Sequence, residues 1–553
     1  MKRTKIAISL ILCSIICLAF FAACKPADNT APAPGGESAA PVSPAPGGSS
    51  SQPAPQPDAP NPDVPPPEGP DVRFADSLDF IIDANTIPVV NPINVAGSSV
   101  GCQWTYRIVY DTLIDVNEDF SYTPRLATSW QTDDWQTITF SLRDDVVFHN
   151  GDRFTADDVI NTVLLAKDHP GTIAADRWAA VESITALDPY TVQIVLSSVN
   201  VECLYDFAHP GASILNKRET DADPEKGVWI GTGAYMVTEL APNDYVTFTR
   251  NDNYWFDPPI TRQLTLRHVP EVSARMMMLE NGEVDGCLGG LSVFDSDRIV
   301  ENTNDYVCYE YYPPGPAVFG FNMEHPIVGD WNFRMAVGSA IDREEMTYVA
   351  RGNYGIPETH GSWWGMVTQY YDESIPIVAY DLDAAKAYLD ASPYNGEVIE
   401  IVACFPDNAA RAELLQNSLA KIGVTCTVKE LDPPSLASYV AYGRNQAAII
   451  SFMATWTPTA ASARNILLPE MYHNRWSYNN PEITRMLAEA ALISDDNARR
   501  EHYMQIQRIV AEDPPGFNVL QMRQIAACHK GVAGFSFFGD LYDLRYVYRV
   551  LDN

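Results

Sequence analysis

The sequence predicts an α/β fold, and three stretches support that prediction. Residues 135–158 have the pattern of a strand, a tight turn and a helix. Residues 398–404 and 424–431 have the pattern of strands on either side of an amphipathic helix at 409–422, a spacing that implies a parallel β-α-β unit. Residues 481–512 have the pattern of two successive helices. A chain of 553 residues is long enough for two or three lobes, each with its own core.

The stretch at 135–158 is the best defined of the three. Residues 137–140 alternate Thr with Ile or Phe, so that one face of the predicted strand can be buried. Asn150-Gly151 indicates a tight turn, because Gly accepts a positive φ and Asn tolerates one. Thr155 is the expected N-cap, and Asp157 and Asp158 follow in the first turn, where negative charge is favourable.

The motifs of this stretch resemble the signature of the family 5 solute-binding proteins, the extracytoplasmic peptide-, opine- and nickel-type receptors of ABC importers. The matching motifs here are Leu142-Arg143-Asp144, the run 147–151 and the run 154–159. Further matches follow the family order along the chain, at Tyr110 to Leu113, Pro124 to Trp130, Gly231 to Tyr235 and Ala340 to Glu344. The resemblance extends from about residue 91 to residue 550.

The resemblance implies the periplasmic-binding-protein type II fold, with two main lobes, a hinge, and an extra subdomain in the first lobe. The expected division is a signal peptide at 1–23, a tether at 24–72, lobe I at 73–114, 200–275 and 515–553, the extra subdomain at 115–199, and lobe II at 276–514.

The amino terminus has the features of an exported lipoprotein. Lys2, Arg3 and Lys5 precede an uncharged run from Ile6 to Ala23, as in a signal peptide. Small residues before Cys24 resemble a lipobox, which implies lipidation of Cys24 and a place on the outer face of the cytoplasmic membrane. An uncleaved single helix is the alternative. The proline-rich segment that follows predicts an extended tether.

Composition disfavours nucleic acid as a partner and does not decide whether the cysteines form disulfides. Acidic residues number 71 against 37 basic ones, for a net charge of −34, so nucleic acid is not an expected partner. An odd number of cysteines remains after Cys24, so at least one is free or intermolecular. Cys404 and Cys426 could lie on neighbouring strands as a pair, or each could be a buried free thiol.

The motif search gives no sign of catalysis. The nine histidines have no metal-ligand spacing, and the chain has no nucleophile elbow, zinc-protease motif or nucleotide loop. We therefore expect neither an enzyme, nor a cofactor, nor a metal site built from the protein's own residues. The resemblance leaves a nickel chelate open as the transported ligand, with a lone His as the protein's contact.

The expected ligand contacts are mainly aromatic and polar side chains: Trp456, Trp363, Trp364, Asn322, Arg444 and Thr457. Peptide binders of the family have an Asp shortly after a Gly-Trp, and this Asp pairs with the ligand's amino group. Trp456 stands at that place, but no acid occurs between Asp432 and Glu470. The missing amine anchor leaves oligopeptide and neutral oligosaccharide ligands both open.

The predicted function is capture of an oligopeptide-like solute by hinge closure and its delivery to ABC permease subunits. The lobes would close over the ligand, and the permease would prefer the closed form. The protein is expected to be a monomer. A receptor for an oligosaccharide or another neutral solute is the main alternative. A signalling receptor that does not transport, and a secreted hydrolase, are the others.

Overall fold

The computed structural model describes residues 72–82, 90–93, 100–170, 172–223, 226–441, 443, 445–453, 457–469, 471, 473–538 and 541–551. The predicted signal peptide, Cys24 and nearly all of the tether lie outside these residues. No helix among the described residues is both long enough and apolar enough to span a membrane.

The strands of the described residues vary from two to eight residues in length. They are β1 (Arg73–Phe74), β2 (Ser77–Ile82), β3 (Ile114–Val116), β4 (Tyr122–Pro124), β5 (Ala127–Gln131), β6 (Thr137–Leu142), β7 (Val181–Asp188), β8 (Thr191–Leu196), β9 (Tyr235–Ala241), β10 (Tyr245–Arg250), β11 (Gln263–His268), β12 (Gly286–Cys287), β13 (Tyr306–Tyr311), β14 (Ala317–Phe321), β15 (Gly355–Pro357), β16 (Ile399–Ala403), β17 (Cys426–Glu430), β18 (Ile449–Met453), β19 (Gly516–Met522), β20 (Gln524–His529), β21 (Val532–Ala533), β22 (Ser536–Phe538), β23 (Leu541–Asp543) and β24 (Tyr548–Leu551).

The helices vary from single turns to the 17 residues of the last one. They are α1 (Val100–Val109), α2 (Ala156–Asp168), α3 (Ile173–Trp178), α4 (Leu204–Ala208), α5 (Lys217–Ala222), α6 (Val272–Glu280), α7 (Val293–Glu301), α8 (Trp331–Ser339), α9 (Arg343–Arg351), α10 (Leu382–Asp390), α11 (Pro406–Ala420), α12 (Pro433–Tyr439), α13 (Ala463–Leu467), α14 (Pro481–Ala490) and α15 (Asp496–Glu512). Short 3₁₀ turns occur at Pro210–Ala212, Gly227–Trp229, Gly352–Tyr354 and Ala460–Ser462.

The first large sheet has seven strands in the order β13-β20-β12-β2-β11-β10-β9. Strand β2 is parallel to β11 and β12, and the remaining neighbours are antiparallel. One face packs in a core that extends into the strands and helices of residues 114–215. The other face packs against α6 and α7.

The second large sheet has six strands in the order β15-β19-β14-β18-β16-β17. Strand β16 is parallel to both β17 and β18, which confirms the predicted β-α-β unit around α11. Side chains alternate along these strands between two buried clusters, one packed with α8 to α11 and the other with α13 to α15. The sheet is therefore the middle layer of three.

A four-stranded antiparallel sheet, β5-β6-β8-β7, lies within the predicted extra subdomain. It contains the stretch that begins the family signature. Gly151 has φ 86°, and its N–H donates to the Phe148 carbonyl at 2.8 Å, as expected for the turn. Asp158 closes the capping box at the start of α2 by accepting the Thr155 N–H at 2.9 Å. Turn and cap are therefore confirmed.

The chain passes between the two large sheets twice. Residues 312–316 join β13 to β14, and Arg523 alone joins β19 to β20. We call these two connections the crossing. The expected division placed 276–311 in lobe II and 515–522 in lobe I, but β12 and β13 belong to the first sheet and β19 to the second. Pairing with strands that are distant in the sequence causes both differences. Strand β12 pairs with β2, and β13 pairs with β20, whereas β19 lies between β14 and β15.

One further expectation needs correction, and the structure decides between the two alternatives for Cys404 and Cys426. The pattern at 330–351 predicts one helix, but the structure has α8 and α9, because the Asp342 side chain accepts the Glu345 N–H and caps a new helix. Cys404 and Cys426 do lie near neighbouring parallel strands, yet Cys426 pairs with Ile399 at the opposite end of β16 from Cys404. Both thiols are free and buried.

A buried charge cluster joins the extra subdomain to the first lobe. The Asp111 carboxylate accepts hydrogen bonds from Arg125, from Thr232 at 2.9 Å and from the Trp255 indole at 2.9 Å. Arg545 from the chain's end lies 4.0 Å away. Burial by itself would raise the pKa of Asp111, but Arg125 and Arg545 outweigh burial and hold it below the ordinary value of 3.8. Asp111 therefore connects parts of the chain that are far apart in sequence.

Candidate functional site

The strand directions bring two sheet edges to the crossing. Strand β13 enters the crossing at its carboxyl end, and β12 has the same direction because both are antiparallel to β20. Parallel pairing then places the carboxyl ends of β2 and β11 at that edge. In the second sheet β14 leaves the crossing, and β18 is antiparallel to it, with Met453 opposite Ala317. The carboxyl ends of β16, β17 and β18 therefore meet this edge as well.

Ligands of open α/β sheets bind outside the carboxyl ends of the parallel strands. Here two such edges lie on either side of one crossing, so the cleft between them is the candidate site. Residues 83–89, which follow β2 in the sequence, and residues 454–456, which follow β18, lie outside the described residues.

On the first edge, Arg275 holds the loops that follow β11 and β12. Its guanidinium is fully buried and donates to the carbonyls of Val269 at 2.7 Å and Pro270 at 2.8 Å, and also to that of Gly290. A single cation thus satisfies backbone acceptors from two loops, so this rim of the cleft is preorganised.

On the second edge, an aromatic ring and a cation lie together near the strand ends. The Arg475 guanidinium lies over the Phe452 ring, 4.2 Å from its centroid. Burial raises the pKa of Cys404 to about 11, and the charge of Arg475 opposes that rise. Arg475 is therefore close to the ends of both β16 and β18. A half-buried guanidinium in this position can bind a carboxylate.

The predicted ligand residues separate into three groups. Trp456 and Arg444 lie outside the described residues, so their roles stay predictions. Thr457 follows β18 at the cleft edge, half-buried, with its hydroxyl 3.2 Å from that of Thr459. The other three predicted residues have packing or hydrogen-bonding roles inside the second lobe.

Trp363 and Trp364 are 2 % and 0 % exposed and pack in the cluster beside α13 to α15. Trp363 makes an edge-to-face contact with Trp476 at 5.5 Å. Their burial leaves no surface for a ligand in this structure, so the expected ligand contact is replaced by a supporting role. The next residue, Gly365, packs against Pro314 of the crossing.

Asn322 is the last of the predicted ligand contacts. It follows β14 at the end away from the crossing, and it is 5 % exposed. Its amide donates to the carbonyls of Asn445 and Ala447, both at 3.0 Å. The side chain thus orders the loop before β18 and does not border the cleft.

Sequence reasoning missed Phe405, which follows Cys404 at the end of β16. Its backbone has φ 73° and ψ 147°, and its side chain is 39 % exposed. A residue with a side chain rarely adopts this conformation. Nothing in the local pattern predicts it, because glycine is the residue expected there.

The crossing is itself held by polar contacts. The Gln521 amide of β19 donates to the Pro313 carbonyl at 2.5 Å, which joins the end of β19 to the connection at 312–316. Arg523 donates to the Asn353 carbonyl at 2.8 Å and lies 3.6 Å from Glu310. These contacts hold the crossing to the sheets on both sides of it.

The lobes also touch away from the crossing, at Glu202 just before α4. Its carboxylate accepts hydrogen bonds from Arg464 and, at 3.0 Å, from the Tyr503 hydroxyl, both on helices of the second lobe. The Val201 N–H donates to the Ala491 carbonyl at 2.9 Å. The Glu202 side chain is 9 % exposed. We call this contact the latch.

We expect Glu202→Ala to favour separation of the lobes. Charge-assisted hydrogen bonds at a site this buried contribute about 1.5–3 kcal/mol each. Small-angle X-ray scattering of the ligand-free protein should therefore give a larger radius of gyration for the variant. Glu182→Ala, a change at an exposed acid on β7, is the matched control and should leave the radius unchanged. Equal radii for all three proteins would contradict the role of the latch.

No group of three or more His, Cys, Asp or Glu side chains in the described part of the chain is arranged to hold a metal ion. The donors at the cleft edge are instead a guanidinium, a hydroxyl and backbone groups. This set suits an organic solute with polar ends.

Comparison with known proteins gives matches of three kinds. Residues 121–475 match the family model described as bacterial extracellular solute-binding proteins, family 5 Middle. The nickel-binding periplasmic protein of Escherichia coli K12 is 25 % identical over 357 residues, covering 60 % of this chain and 68 % of that protein. The protein named "Probable D,D-dipeptide-binding periplasmic protein DdpA" of the same organism is 25 % identical over 444 residues, covering 74 % and 81 %.

Among solved structures, the periplasmic binding protein DppA of Helicobacter pylori, in complex with the peptide STSA, matches with a TM-score of 0.72. It is 22 % identical and covers 86 % of this chain and 98 % of that one. This likeness confirms the two-lobed type II fold. The matched members are binding proteins, which agrees with the expectation that the chain is not an enzyme. The family model spans more than half of the chain, and the chain therefore belongs to the bacterial extracellular solute-binding proteins of family 5.

Proposed function

We propose that the protein is the substrate-binding lipoprotein of an ABC importer, and that it captures an oligopeptide-like solute by hinge closure and delivers it to the permease. The observation that carries this proposal is the pair of carboxyl-end edges on either side of the two-strand crossing. Such a cleft opens and closes by small backbone changes in the crossing, and closure encloses the solute.

The tether and the anchor belong to the same proposal. Cys24 is the proposed lipidation position, and the proline-rich segment after it would let the folded lobes stand off the outer face of the membrane. The protein would act as a monomer, because one chain supplies both edges of the cleft. Metabolic labelling with a radioactive fatty acid, compared between the unchanged protein and Cys24→Ala, tests the anchor.

A peptide is the favoured ligand because a matched relative and a matched structure bear the names of peptide binders. The described residues add a reason. Arg475, close to the ends of β16 and β18, has the charge and geometry to pair with a peptide's terminal carboxylate. No acid lies between Asp432 and Glu470, so the peptide's amino group has no fixed partner in that segment.

We expect the two peptide termini to contribute unequally to affinity. Amidation of the carboxyl terminus should weaken binding about tenfold or more, since one charge-assisted hydrogen bond is lost. Acetylation of the amino terminus should weaken it much less. Isothermal titration calorimetry with free, acetylated and amidated forms of one tripeptide measures both effects.

The Arg475→Ala variant should remove the response to amidation, because the free and amidated peptides would then bind alike. Arg485→Ala is the matched control, since Arg485 is an exposed arginine on α14 paired with Glu489. A variant that still distinguishes the two peptides would show that another group binds the carboxylate.

An oligosaccharide receptor is the second candidate. The missing acid and the aromatic groups at the second edge support it, because a flat ring suits a sugar as well as a peptide side chain. Thermal-shift measurements with oligosaccharides beside tripeptides separate the two, since ligand at 100 times its Kd should stabilise by about 2.7 kcal/mol. A shift with oligosaccharides alone would replace the peptide proposal.

A further inference from the structure

Phe405 combines three properties that are unusual together. It is an aromatic residue at the carboxyl end of a parallel strand, it is 39 % exposed, and its φ of 73° with ψ of 147° belongs to a region that glycine normally occupies. More than a third of Phe405 is exposed, so packing within the fold uses only part of its surface.

The surrounding contacts impose this backbone conformation on Phe405. The Asn408 amide donates to the Cys404 carbonyl, and the N–H groups of Asn408 and Ala409 both donate to the Phe405 carbonyl at 3.1 Å. Asn408 is 3 % exposed, and the Ser451 hydroxyl donates to the Asn408 backbone carbonyl at 2.7 Å. Hydrogen bonds from the start of α11 and from Ser451 of β18 therefore hold this turn in place.

The turn places Phe405 at the edge of the candidate cleft. Cys404 and Phe405 follow β16 at the cleft edge, beside the end of β18, where Arg475 lies over Phe452. The charge of Arg475 reaches Cys404, the neighbour of Phe405. Phe405 after β16 and the pair of Arg475 and Phe452 at the end of β18 thus belong to the same rim of the cleft.

We propose that Phe405 determines ligand specificity by packing its ring against an apolar side chain of the bound peptide. This inference rests on the proposed function and adds a preference to it. Arg475 pairs with the terminal carboxylate, and Phe405 selects a large apolar or aromatic side chain near it. Edge-to-face or offset contact between two aromatic rings adds binding free energy beyond that of the apolar area that the rings bury.

Two substitutions at this position separate the ring from the backbone. Phe405→Ala and Phe405→Gly both remove the ring, but only the glycine relieves the positive φ. We expect Phe405→Gly to melt roughly 2 °C above Phe405→Ala, because alanine is strained at a positive φ. Both variants should bind peptides equally weakly, whereas Phe405→Tyr, which keeps the ring, should bind like the unchanged protein.

The probes are trialanine and the three tripeptides in which one alanine is replaced by phenylalanine, measured by isothermal titration calorimetry. The unchanged protein should prefer one of the phenylalanine peptides to trialanine by about tenfold. Phe405→Ala and Phe405→Gly should lose that preference. Phe294→Ala, a change at a 73 % exposed phenylalanine on α7, is the matched control and should keep it.

The two possible failures differ. If the unchanged protein binds no peptide of the panel, the proposed function and this inference fall together. If it binds the panel and Phe405→Ala or Phe405→Gly keeps the preference, the proposed function stands and the role of Phe405 is overturned.

Discussion

Asp111→Ala should lower the free energy of unfolding by about 3–5 kcal/mol, because it leaves buried arginines without their counter-charge. Arg125 and Arg545 have side chains that are 8 % exposed, and both depend on Asp111 for part of their compensation. The hydrogen bonds from Thr232 and Trp255 are lost as well. Equilibrium urea denaturation followed by tryptophan fluorescence measures the change.

Asp145→Ala is the matched control. Asp145 also pairs with an arginine, Arg143, but its side chain is 57 % exposed. Exposed ion pairs contribute about 0–1 kcal/mol, so this variant should unfold almost like the unchanged protein. Similar losses for Asp111→Ala and Asp145→Ala would mean that burial does not control the energy of this cluster.

The same cluster predicts how stability depends on pH. Burial alone would raise the pKa of Asp543, but Arg545 outweighs burial and lowers it to about 2. The pKa of Asp111 is also below 3.8. A carboxyl whose pKa is lowered by folding stabilises the fold above its unfolded pKa, and that contribution disappears as pH falls toward the folded value. The unchanged protein should therefore lose stability between about pH 4 and pH 2, and Asp111→Ala should lose less over that interval.

Gly320→Ala should destabilise the second lobe by about 3 kcal/mol, at the upper end of what overpacking costs. A Cβ at position 320 would lie 1.9 and 2.0 Å from two atoms of the Trp476 ring. Trp476 is 1 % exposed and touches Trp363, so the ring has little freedom to move away. Thermal unfolding and urea titration should both detect the loss.

Trp476→Leu in the same chain tests the cause. Because leucine lacks the ring atoms nearest to position 320, adding Gly320→Ala to Trp476→Leu should cost much less than adding it to the unchanged protein. Gly423→Ala is a useful contrast, since Gly423 has φ 92° and no neighbouring atom within 4 Å of a built Cβ. The loss of stability caused by Gly423→Ala comes from the strained backbone. It should therefore be the same whether residue 476 is tryptophan or leucine. Additive costs for Gly320→Ala and Trp476→Leu would contradict the steric explanation.

Local pattern was sufficient to predict much of the fold. Period-two alternation identified β6, and the turn and cap at Gly151 and Thr155 formed as expected, because these signals depend on near neighbours. The parallel pairing of β16 with β17 followed from the spacing around α11. The lobe boundaries did not follow, since β19 joins the second sheet through partners far away in the sequence.

The site was harder to predict than the fold. Trp363 and Trp364 have a composition that suits a ligand, but whether a large aromatic side chain is buried depends on tertiary packing. Asn322 donates to two carbonyls that sequence alone does not place near it. Phe405 carries no local signal, because its conformation contradicts its residue type and is imposed by Asn408.

The central claim is that the cleft at the crossing captures an intact peptide. Native mass spectrometry of the protein, mixed with the tripeptide panel and with oligosaccharides of similar mass, tests it most directly. We expect one-to-one complexes whose added mass equals that of an uncleaved tripeptide, and no stable complex with an oligosaccharide. Complexes with oligosaccharides alone, or release of cleaved peptide, would contradict the account.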